Sequence, residues 1–258
     1  MLLSVIVPTF NRADMLENLL NRFQSLIDAR DCEVIVVDDG SRPDQRSKLE
    51  LLQKQFLNRV TFHLLASNSG GGFARNAGAK IASGRWLWFF DDDDDIDSEN
   101  LDTLIDTLRS DSEIDNDMIF LAYNEIFESG KNNYVVPTGT KLFEEFRRYG
   151  QAVNTSCLLI TRQLFEKIGG WDPSLKAGQD TDIFLRASCY SDAYVISNIH
   201  VNVFFHEGER VTTNPRKQVV AKFQFLKKNW RLLHWSRRLR YLVTMIFLVP
   251  YIKKTLGR

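Results

Sequence analysis

The chain has 258 residues, 44% hydrophobic and 26% charged, which excludes a disordered or fibrous protein and indicates a globular fold with a sizeable core. Its three cysteines, Cys32, Cys157 and Cys189, show no CxxC spacing, so neither a disulfide framework nor a cysteine-based zinc site is expected, as in a reducing cytoplasm. The net charge of zero hides an asymmetry: residues 208–258 carry 13 Lys and Arg against one acid, whereas residues 1–207 carry 20 bases and 32 acids.

Four short apolar runs alternate with segments of helical periodicity in the first 110 residues. The runs LLSVIVP, EVIVVD, VTFHLL and RWLWFF predict buried strands, and MLENLLNRFQSLI, KLELLQKQF and ARNAGAKIA predict helices between them. This order predicts a parallel sheet with helices on both faces. The first run lacks a basic leader and a long apolar core, so we expect a strand there and not a signal peptide.

The pattern is looser after about residue 110. IFLAY, YVV and TSCLLI predict further strands, whereas KLFEEFRRYG, QLFEKIGGWDP and QDTDIFLRASCY predict helices. No internal repeat and no low-complexity linker marks a domain boundary in this region.

Polar residues follow three of the predicted strands, at the end where ligands of parallel sheets bind. They are Thr9-Phe10-Asn11, Asp38-Asp39-Gly40-Ser41, and five consecutive aspartates, Asp91 to Asp95. Because these strand ends meet at one edge of the sheet, we expect a binding site there.

The aspartate run admits two interpretations. In the simpler one it is a solvated turn, in which Asp97 or Ser98 caps the helix SENLDTLIDTL. That interpretation leaves the repulsion among the other acids uncompensated. Mg²⁺ and Mn²⁺ take carboxylate oxygens and share phosphate oxygens of a substrate, so we favour a divalent metal with a diphosphate ligand.

Two weaker patterns lie between the strands. VVDDGS fits an Asp-Gly turn, although a carboxylate there can also accept a hydrogen bond from a nucleobase N–H. The glycines of SNSGGGFARNAG precede a predicted helix and could cradle phosphate, but they match neither common phosphate-loop signature and also fit a flexible loop.

Taken in order, four segments resemble the motifs of glycosyltransferase family two, whose members are inverting enzymes with the GT-A fold. The segments are SVIVPTFNR, EVIVVDDGS, NSGGGFARNAGAKIASGRWLWFFDDDDD and GGWDPSLKAGQDTDIFLR. The resemblance implies an α/β fold of Rossmann type, with a mostly parallel sheet flanked by helices. It also implies transfer of a sugar from a nucleoside-diphosphate donor, commonly a UDP-sugar, to a hydroxyl of a glycan or a polyprenyl-linked glycan.

The same resemblance divides the chain. It implies a catalytic domain over residues 1–207, with a nucleotide-sugar-binding half at 1–110 and an acceptor-binding half at 111–207. Residues 208–258 then form a basic, partly apolar helical extension.

The resemblance also implies donor-binding residues, which are Pro8, Thr9, Asn11, Asp39, Arg75, Asp91 and Asp92. Within this set Thr9 and Asp39 would contact the nucleobase, and Arg75 would support the nucleotide end of the site. Asp91 or Asp92 would reach the ribose or a second shell around the metal.

For the metal, Mn²⁺ or Mg²⁺, the resemblance implies Asp91 and Asp93 as an Asp-x-Asp pair, with Asp93 as the direct ligand. His206 matches a histidine that many members place beside the metal and the diphosphate, though a core or surface histidine fits it equally.

Asp180 matches the family's catalytic base, which takes a proton from the acceptor hydroxyl as it attacks opposite the departing diphosphate. Its alternative role is an acid in the first turn of a helix, favoured by the helix dipole. The family's Glu is here Gln179, which puts acceptor specificity in question. Trp171 could stack on an acceptor sugar, although a buried aromatic is the commoner case.

Two other functions are weighed against a sugar transferase. A sugar-phosphate nucleotidyltransferase would carry a Gly-x-Gly-Thr-Arg signature near the first strand, where this chain has VPTFNR. A non-catalytic module that binds a nucleotide or a divalent cation remains the other alternative.

The C-terminal segment combines bases, aromatics and the apolar stretch YLVTMIFLVPYI, which is too short to span a bilayer. This pattern is typical of a helix on an anionic membrane surface, and the family resemblance implies that this surface is the inner face of the cytoplasmic membrane. The basic residues expected at headgroups are Arg237, Arg238 and Arg240, and the residues expected at the acyl boundary are Leu242, Ile246, Phe247 and Tyr251. The alternative is a helix packed on the catalytic domain. Nucleic acid fits less well, because no recognised module accompanies the charge.

Overall fold

The computed structural model describes residues 1–110, 114–130, 132–150, 153–175, 177–205 and 215–256, with the backbone alone described at 215–218 and 247–256. Within these residues eight strands form one sheet. The strands are β1 (Leu3–Thr9), β2 (Cys32–Asp38), β3 (Val60–Leu64), β4 (Trp86–Phe89), β5 (Met118–Phe127), β6 (Asn132–Val135), β7 (Leu158–Thr161) and β8 (Ala193–Phe205).

Ten α-helices accompany the sheet in the described part of the chain. They are α1 (Ala13–Arg22), α2 (Gln24–Asp28), α3 (Pro43–Gln55), α4 (Gly71–Ile81), α5 (Ser98–Ser110), α6 (Leu142–Arg148), α7 (Arg162–Lys167), α8 (Gln179–Ala187), α9 (Pro215–Asn229) and α10 (Trp235–Leu256).

The first four strands form the predicted parallel unit, in the order β3-β2-β1-β4. Val5, Ile6 and Val7 of β1 have no exposed surface, because the strand is covered on both faces as parallel strands usually are. Thr9 pairs in register with Asp38, so β1 and β2 end at the same edge of the sheet. The α/β fold with a mostly parallel sheet is confirmed.

The second half of the sheet is mixed. β7 runs antiparallel to both β4 and β5, and β6 runs antiparallel to β5. β8 pairs with β5 in parallel. It was not predicted from the sequence, because AYVISNIHVNVFF contains no uninterrupted apolar run of the length of this strand. The register shift between Leu121 and Ala122 lets residues 197–199 bulge out of the ladder, which accommodates the polar Ser197 and Asn198 inside a long strand.

Two predicted elements differ in detail. The helix expected from Met15 to Ile27 is broken at Phe23 into α1 and α2, and the Phe23 ring packs against Trp88 and Phe90 at centroid distances of 6.3 and 5.3 Å. The strand expected at TSCLLI begins with a 3-10 turn at Thr155–Cys157, and only the last part, β7, joins the sheet.

The C-terminal helices pack on the domain formed by the sheet and its helices. Phe225 and Leu226 of α9 and Leu233 of the following turn are buried in the main core. Arg237 is also buried and donates a hydrogen bond to the backbone oxygen of Phe146, because α10 lies against the end of α6. The expectation that Arg237 meets lipid headgroups was therefore wrong.

The apolar residues expected at the acyl boundary divide into two groups. Leu242 and Ile246 are exposed on α10, whereas the side chains of Phe247 and Tyr251 lie outside the described residues. Among the described residues, no helix has the length and apolar character needed to cross a bilayer.

Candidate active site

The carboxyl ends of β1, β2 and β4 bring the predicted polar residues to one edge of the sheet. The amide of Asp39 donates to the carbonyl of Thr9 at 2.9 Å, and the amide of Phe90 donates to the carbonyl of Ile6 at 3.0 Å. These ladder bonds place the residues after each strand beside one another, where ligands of open α/β sheets bind.

A cavity of about 410 Å³, here called the first cavity, opens at this edge. Seven of the predicted residues line it, namely Pro8, Thr9, Asp39, Arg75, Asp91, Asp92 and Asp93. Asn11 is not among the lining residues. Its side-chain oxygen accepts a hydrogen bond from the backbone amide of Arg42 at 2.8 Å. Its backbone amide donates to the Ser41 hydroxyl at 2.8 Å.

Asp39 ties the glycine-rich loop to the sheet. Its two carboxylate oxygens accept hydrogen bonds from the amides of Ser69 and Gly70, each at 2.8 Å. Gly40 is required beneath this loop, because its φ of +74° is left-handed and an added side chain would meet the backbone of Ser67. VVDDGS therefore forms a turn, and its Asp39 also fixes the glycine-rich loop at one wall of the first cavity.

Asp92 is buried in a polar network. It accepts a hydrogen bond from the Thr9 hydroxyl at 2.6 Å and another from the Arg12 guanidinium at 2.9 Å. Burial raises the pKa of Asp92 to about 6, although the bonds from Thr9 and Arg12 act in the opposite direction. A solvated turn does not describe such a residue, and that simpler interpretation of the aspartate run fails here.

Two arginines compensate the acids that face the first cavity. Arg12 bonds to Asp93 at 2.7 Å as well as to Asp92, and Arg75 donates a hydrogen bond to Asp91. Among the described residues, no three His, Cys, Asp or Glu side chains are grouped so as to hold a metal ion. Arg12 was not predicted from the sequence; the only local signal was a base placed three residues after β1.

The last two aspartates of the run have structural partners. Asp94 accepts a hydrogen bond from the Ser156 hydroxyl at 2.5 Å, and Asp95 pairs with Arg22 at 2.5 Å. The backbone of Asp95 also exchanges two hydrogen bonds with Asn202, at 2.7 and 2.9 Å. The five consecutive aspartates therefore separate into three at the cavity and two that join the loop to the second half of the domain.

Trp171 is buried, the commoner of the two cases considered for it, although it is among the residues that line a second cavity beside Asp180. Its ring makes an edge contact with Phe89 at a centroid distance of 5.4 Å, and the Arg75 guanidinium lies 4.9 Å from the ring centroid. Asn76 holds the backbone of Trp171 through two hydrogen bonds, at 2.8 and 2.9 Å. This pair, not recognised in the sequence, fastens α4 to the segment that precedes α8.

A second cavity, of about 380 Å³, adjoins the first. Asp180 and Gln179 line it, together with Thr155 from the 3-10 turn. Four residues line both cavities, namely Gly70, Gly71, Arg75 and Asp91. The two cavities are therefore separated only by the glycine-rich loop and the Arg75–Asp91 pair.

Asp180 lies in the first turn of α8, behind Gly178, which caps the helix with a left-handed φ of 73°. One carboxylate oxygen accepts a hydrogen bond from the amide of Thr181 at 2.7 Å, as an acid in that turn does. Burial raises the pKa of Asp180, and Arg75 counteracts the rise in part. Asp180 forms no side-chain N-cap, but a position in the first turn and a role as base are compatible, since the same carboxylate also lines the second cavity. His206 lies outside the described residues.

Comparison with known proteins supplies the family. The sequence profile of glycosyl transferase family 2 matches residues 4–169, which include the first cavity and the aspartate run. The chain belongs to glycosyl transferase family 2.

Relatives of this family 2 enzyme include GalNAc(5)-diNAcBac-PP-undecaprenol β-1,3-glucosyltransferase of Campylobacter jejuni. The two proteins are 41% identical over 104 residues, which make up 40% of this chain and 33% of the relative. The match thus covers about a third of the length of that relative.

Solved structures of the same fold include TarS residues 1–349 of Staphylococcus aureus in complex with UDP-GlcNAc. It aligns with a TM-score of 0.64 and 23% identity, over 88% of this chain and 67% of that one. The mannosyltransferase PcManGT of Pyrobaculum calidifontis, in complex with GDP-Man and Mn²⁺, also aligns with a TM-score of 0.64, at 16% identity over 99% and 74% of the two chains. These alignments confirm the GT-A fold.

Membership in family 2 decides between the three functions considered above. The chain is a glycosyltransferase, so the nucleotidyltransferase and the non-catalytic module are set aside.

Proposed function

We propose that this family 2 enzyme transfers a sugar from a UDP-sugar to a hydroxyl of a lipid-linked glycan, with inversion at the anomeric carbon. The shared wall of the two cavities carries the proposal. A nucleotide diphosphate in the first cavity would bring its sugar past the Arg75–Asp91 pair toward Asp180. The departing group and the base then lie on opposite sides of the reacting carbon, as a single displacement requires.

The acids of the first cavity fit a divalent metal by their chemistry. Asp91 and Asp93 offer carboxylate oxygens, which Mn²⁺ and Mg²⁺ prefer, and the arginines paired with them are consistent with a position where positive charge is favourable. We assign Asp93 as the direct ligand and Asp91 as its companion, with His206 as a further candidate. When bound, the metal would neutralise charge that develops on the leaving diphosphate.

The nucleotide would be held by the chain's own groups at the strand ends. Thr9 and Asp39 are proposed to contact the base, with Pro8 beside them at the donor site, although Asp39 would share its oxygens with the glycine-rich loop. Arg75 faces both cavities, so it can stabilise the diphosphate while it fixes Asp91. UDP is preferred as the nucleotide because the TarS structure of the same fold holds UDP-GlcNAc.

Asp180 is proposed to remove the proton of the acceptor hydroxyl. Its raised pKa makes it a better base than an exposed aspartate, because a carboxylate with a higher pKa holds the abstracted proton more firmly. Gln179, beside it, donates its side-chain amide to the carbonyl of Leu175 at 2.8 Å, and so orders the rim of the second cavity.

The acceptor class is proposed from the relative in Campylobacter jejuni, whose name specifies a PP-undecaprenol glycan. A polyprenyl-linked acceptor would place this enzyme at the inner face of the cytoplasmic membrane.

Calorimetry tests the donor site. We expect UDP to bind more tightly than GDP, and its affinity to fall by about tenfold or more when Mn²⁺ is removed or when Asp93→Ala is introduced, because diphosphate repulsion is then uncompensated. Asp95→Asn serves as the matched control, since Asp95 belongs to the same run but does not line the first cavity. Unchanged UDP affinity in Asp93→Ala at saturating Mn²⁺ would reject the metal assignment.

A further inference from the structure

The outward face of α10 carries a stripe of exposed apolar side chains. Trp235, Leu239, Leu242 and Ile246 follow at intervals of four, three and four residues, the spacing that places side chains on one helix face. Their exposed fractions are 67%, 52%, 39% and 67%, and Val243 beside them is 40% exposed. Contiguous apolar surface of this kind marks an interaction site more often than it faces water. We call these five residues the apolar stripe.

The opposite face of α10 is fixed to the catalytic domain. Arg237 is buried and donates to the carbonyl of Phe146, and its guanidinium lies 5.3 Å from the ring centroid of Phe225. Tyr241 stacks on the same Phe225 at a centroid distance of 5.5 Å. The apolar stripe therefore cannot turn toward its own domain without breaking these contacts, and it stays available to a partner from outside.

Charge distinguishes between the partners that an apolar helix face could take. Residues 210–258 contain 13 Lys and Arg and no Asp or Glu. Arg240 is exposed on α10, adjacent in sequence to Leu239 of the stripe. Two copies of this chain that met along the stripe would bring bases against bases, whereas an anionic lipid surface offers opposite charge to the segment's bases other than the buried Arg237 and the paired Lys228.

We propose that α10 docks on an anionic lipid bilayer through the apolar stripe and lies parallel to its surface. The stripe enters the boundary between headgroups and acyl chains, with Trp235 at headgroup depth, and the surrounding bases meet the phosphates. The biological purpose rests on the proposed lipid-linked acceptor, but the surface and its test do not. Because α10 is fixed to the domain, docking also sets the orientation of the second cavity relative to the membrane.

Vesicle co-sedimentation of the full chain tests the surface. The variant Leu239→Ser/Ile246→Ser should bind vesicles of phosphatidylcholine with roughly 30% phosphatidylglycerol about tenfold more weakly than the wild type. The control Leu51→Ser/Leu57→Ser removes side chains of similar exposure, 63% and 64%, from a different part of the protein, and it should bind as the wild type does. Raising salt from about 0.1 M to about 1 M should weaken the binding without abolishing it.

Three results separate the possibilities. Equal vesicle binding by the stripe variant and the wild type, with UDP affinity intact in both, would overturn the docking surface. A dimer in light scattering that the stripe variant dissociates would overturn it in favour of a second copy of the chain. Vesicle binding that depends on the stripe in a protein that does not bind UDP would support the surface and reject the proposed donor instead.

Discussion

Among the single residues of the site, two arginines compensate the negative charge of the aspartates at the first cavity, and this has a consequence for metal binding. Arg12 bonds to Asp92 and Asp93, and Arg75 bonds to Asp91, so each of the three aspartates of the run that line the first cavity already has a cationic partner. A divalent metal held by Asp93 would displace or weaken the bond from Arg12, which takes one of the two oxygens of that carboxylate. Arg12 and the metal should therefore compete for the same carboxylate.

The competition predicts the effect of removing the arginine. Arg12→Met should bind Mn²⁺ about fivefold or more tightly in the absence of nucleotide, a gain of roughly 1 kcal/mol, since no ion pair must first be broken. Arg22→Met is the matched control, because Arg22 pairs with Asp95 away from the first cavity. Titration with Mn²⁺, followed by electron paramagnetic resonance, measures both. Weaker Mn²⁺ binding by Arg12→Met would show that the arginine supports the site and does not compete.

At the scale of elements, α9 is joined to the helix that carries the proposed base. Lys228 lies 2.6 Å from Asp172 and 2.9 Å from Asp182, and Asn229 donates to Asp182 at 2.9 Å. Asp182 has no exposed surface, and it is only two residues from Asp180 on α8. The C-terminal segment therefore braces α8, the helix on which Asp180 lies.

Substitution of the lysine should lower stability in a manner that depends on pH. Burial tends to raise the pKa of Asp172, but hydrogen bonds from Lys228 and Ser174 lower it to about 2. A lowered pKa stabilises the fold above the ordinary pKa of about 3.9, and this contribution is lost as pH falls toward 2. We expect Lys228→Met to unfold at a lower urea concentration than the wild type at pH 7. Its free energy of unfolding should be lower by about 1–3 kcal/mol there, with a smaller difference near pH 3.

Lys227→Met is the control for that experiment, because Lys227 is exposed on the same helix. Its urea midpoint should remain close to that of the wild type. If Lys228→Met were as stable as Lys227→Met at pH 7, the bridge from α9 to α8 would be ruled out as a stabilising contact.

The sequence predicts those elements whose signal is local. β1, β2 and β4 are recognisable because strands buried on both faces need continuous apolar runs, and the residues that follow them are polar because they leave the core. β8 escapes recognition because its pairing with β5 tolerates a bulge that breaks the run.

The residues of the candidate site also divide into those with a signal in the local sequence and those without one. The resemblance predicts seven lining residues of the first cavity, but not Arg12, whose partners are about 80 positions away. Burial of Arg237 was missed for the same reason, because its contacts to α6 are 91 positions distant in sequence. Hydrogen bonds between residues that are far apart in the sequence produce no periodic pattern from which they could be predicted.

In the whole molecule, two adjoining cavities would have to act on one reaction. Under the proposed function, the first cavity, with its acids and arginines, would serve the nucleotide, and the second would bring Asp180 to the acceptor. The basic C-terminal helices are fixed to the second half of the domain, so the acidic catalytic body and the basic segment form one structure with opposite charges at different surfaces.

Separate measurement of donor binding and turnover in Asp180→Asn tests most directly whether the two cavities have these separate roles. Asn has the size of Asp but cannot accept the proton, and it leaves the first cavity unchanged. We predict UDP affinity within about twofold of the wild type, and a turnover number for transfer from the UDP-sugar that is lower by about 10²-fold or more. Near-normal turnover with normal UDP affinity would contradict the account and reduce Asp180 to a residue that stabilises the first turn of α8.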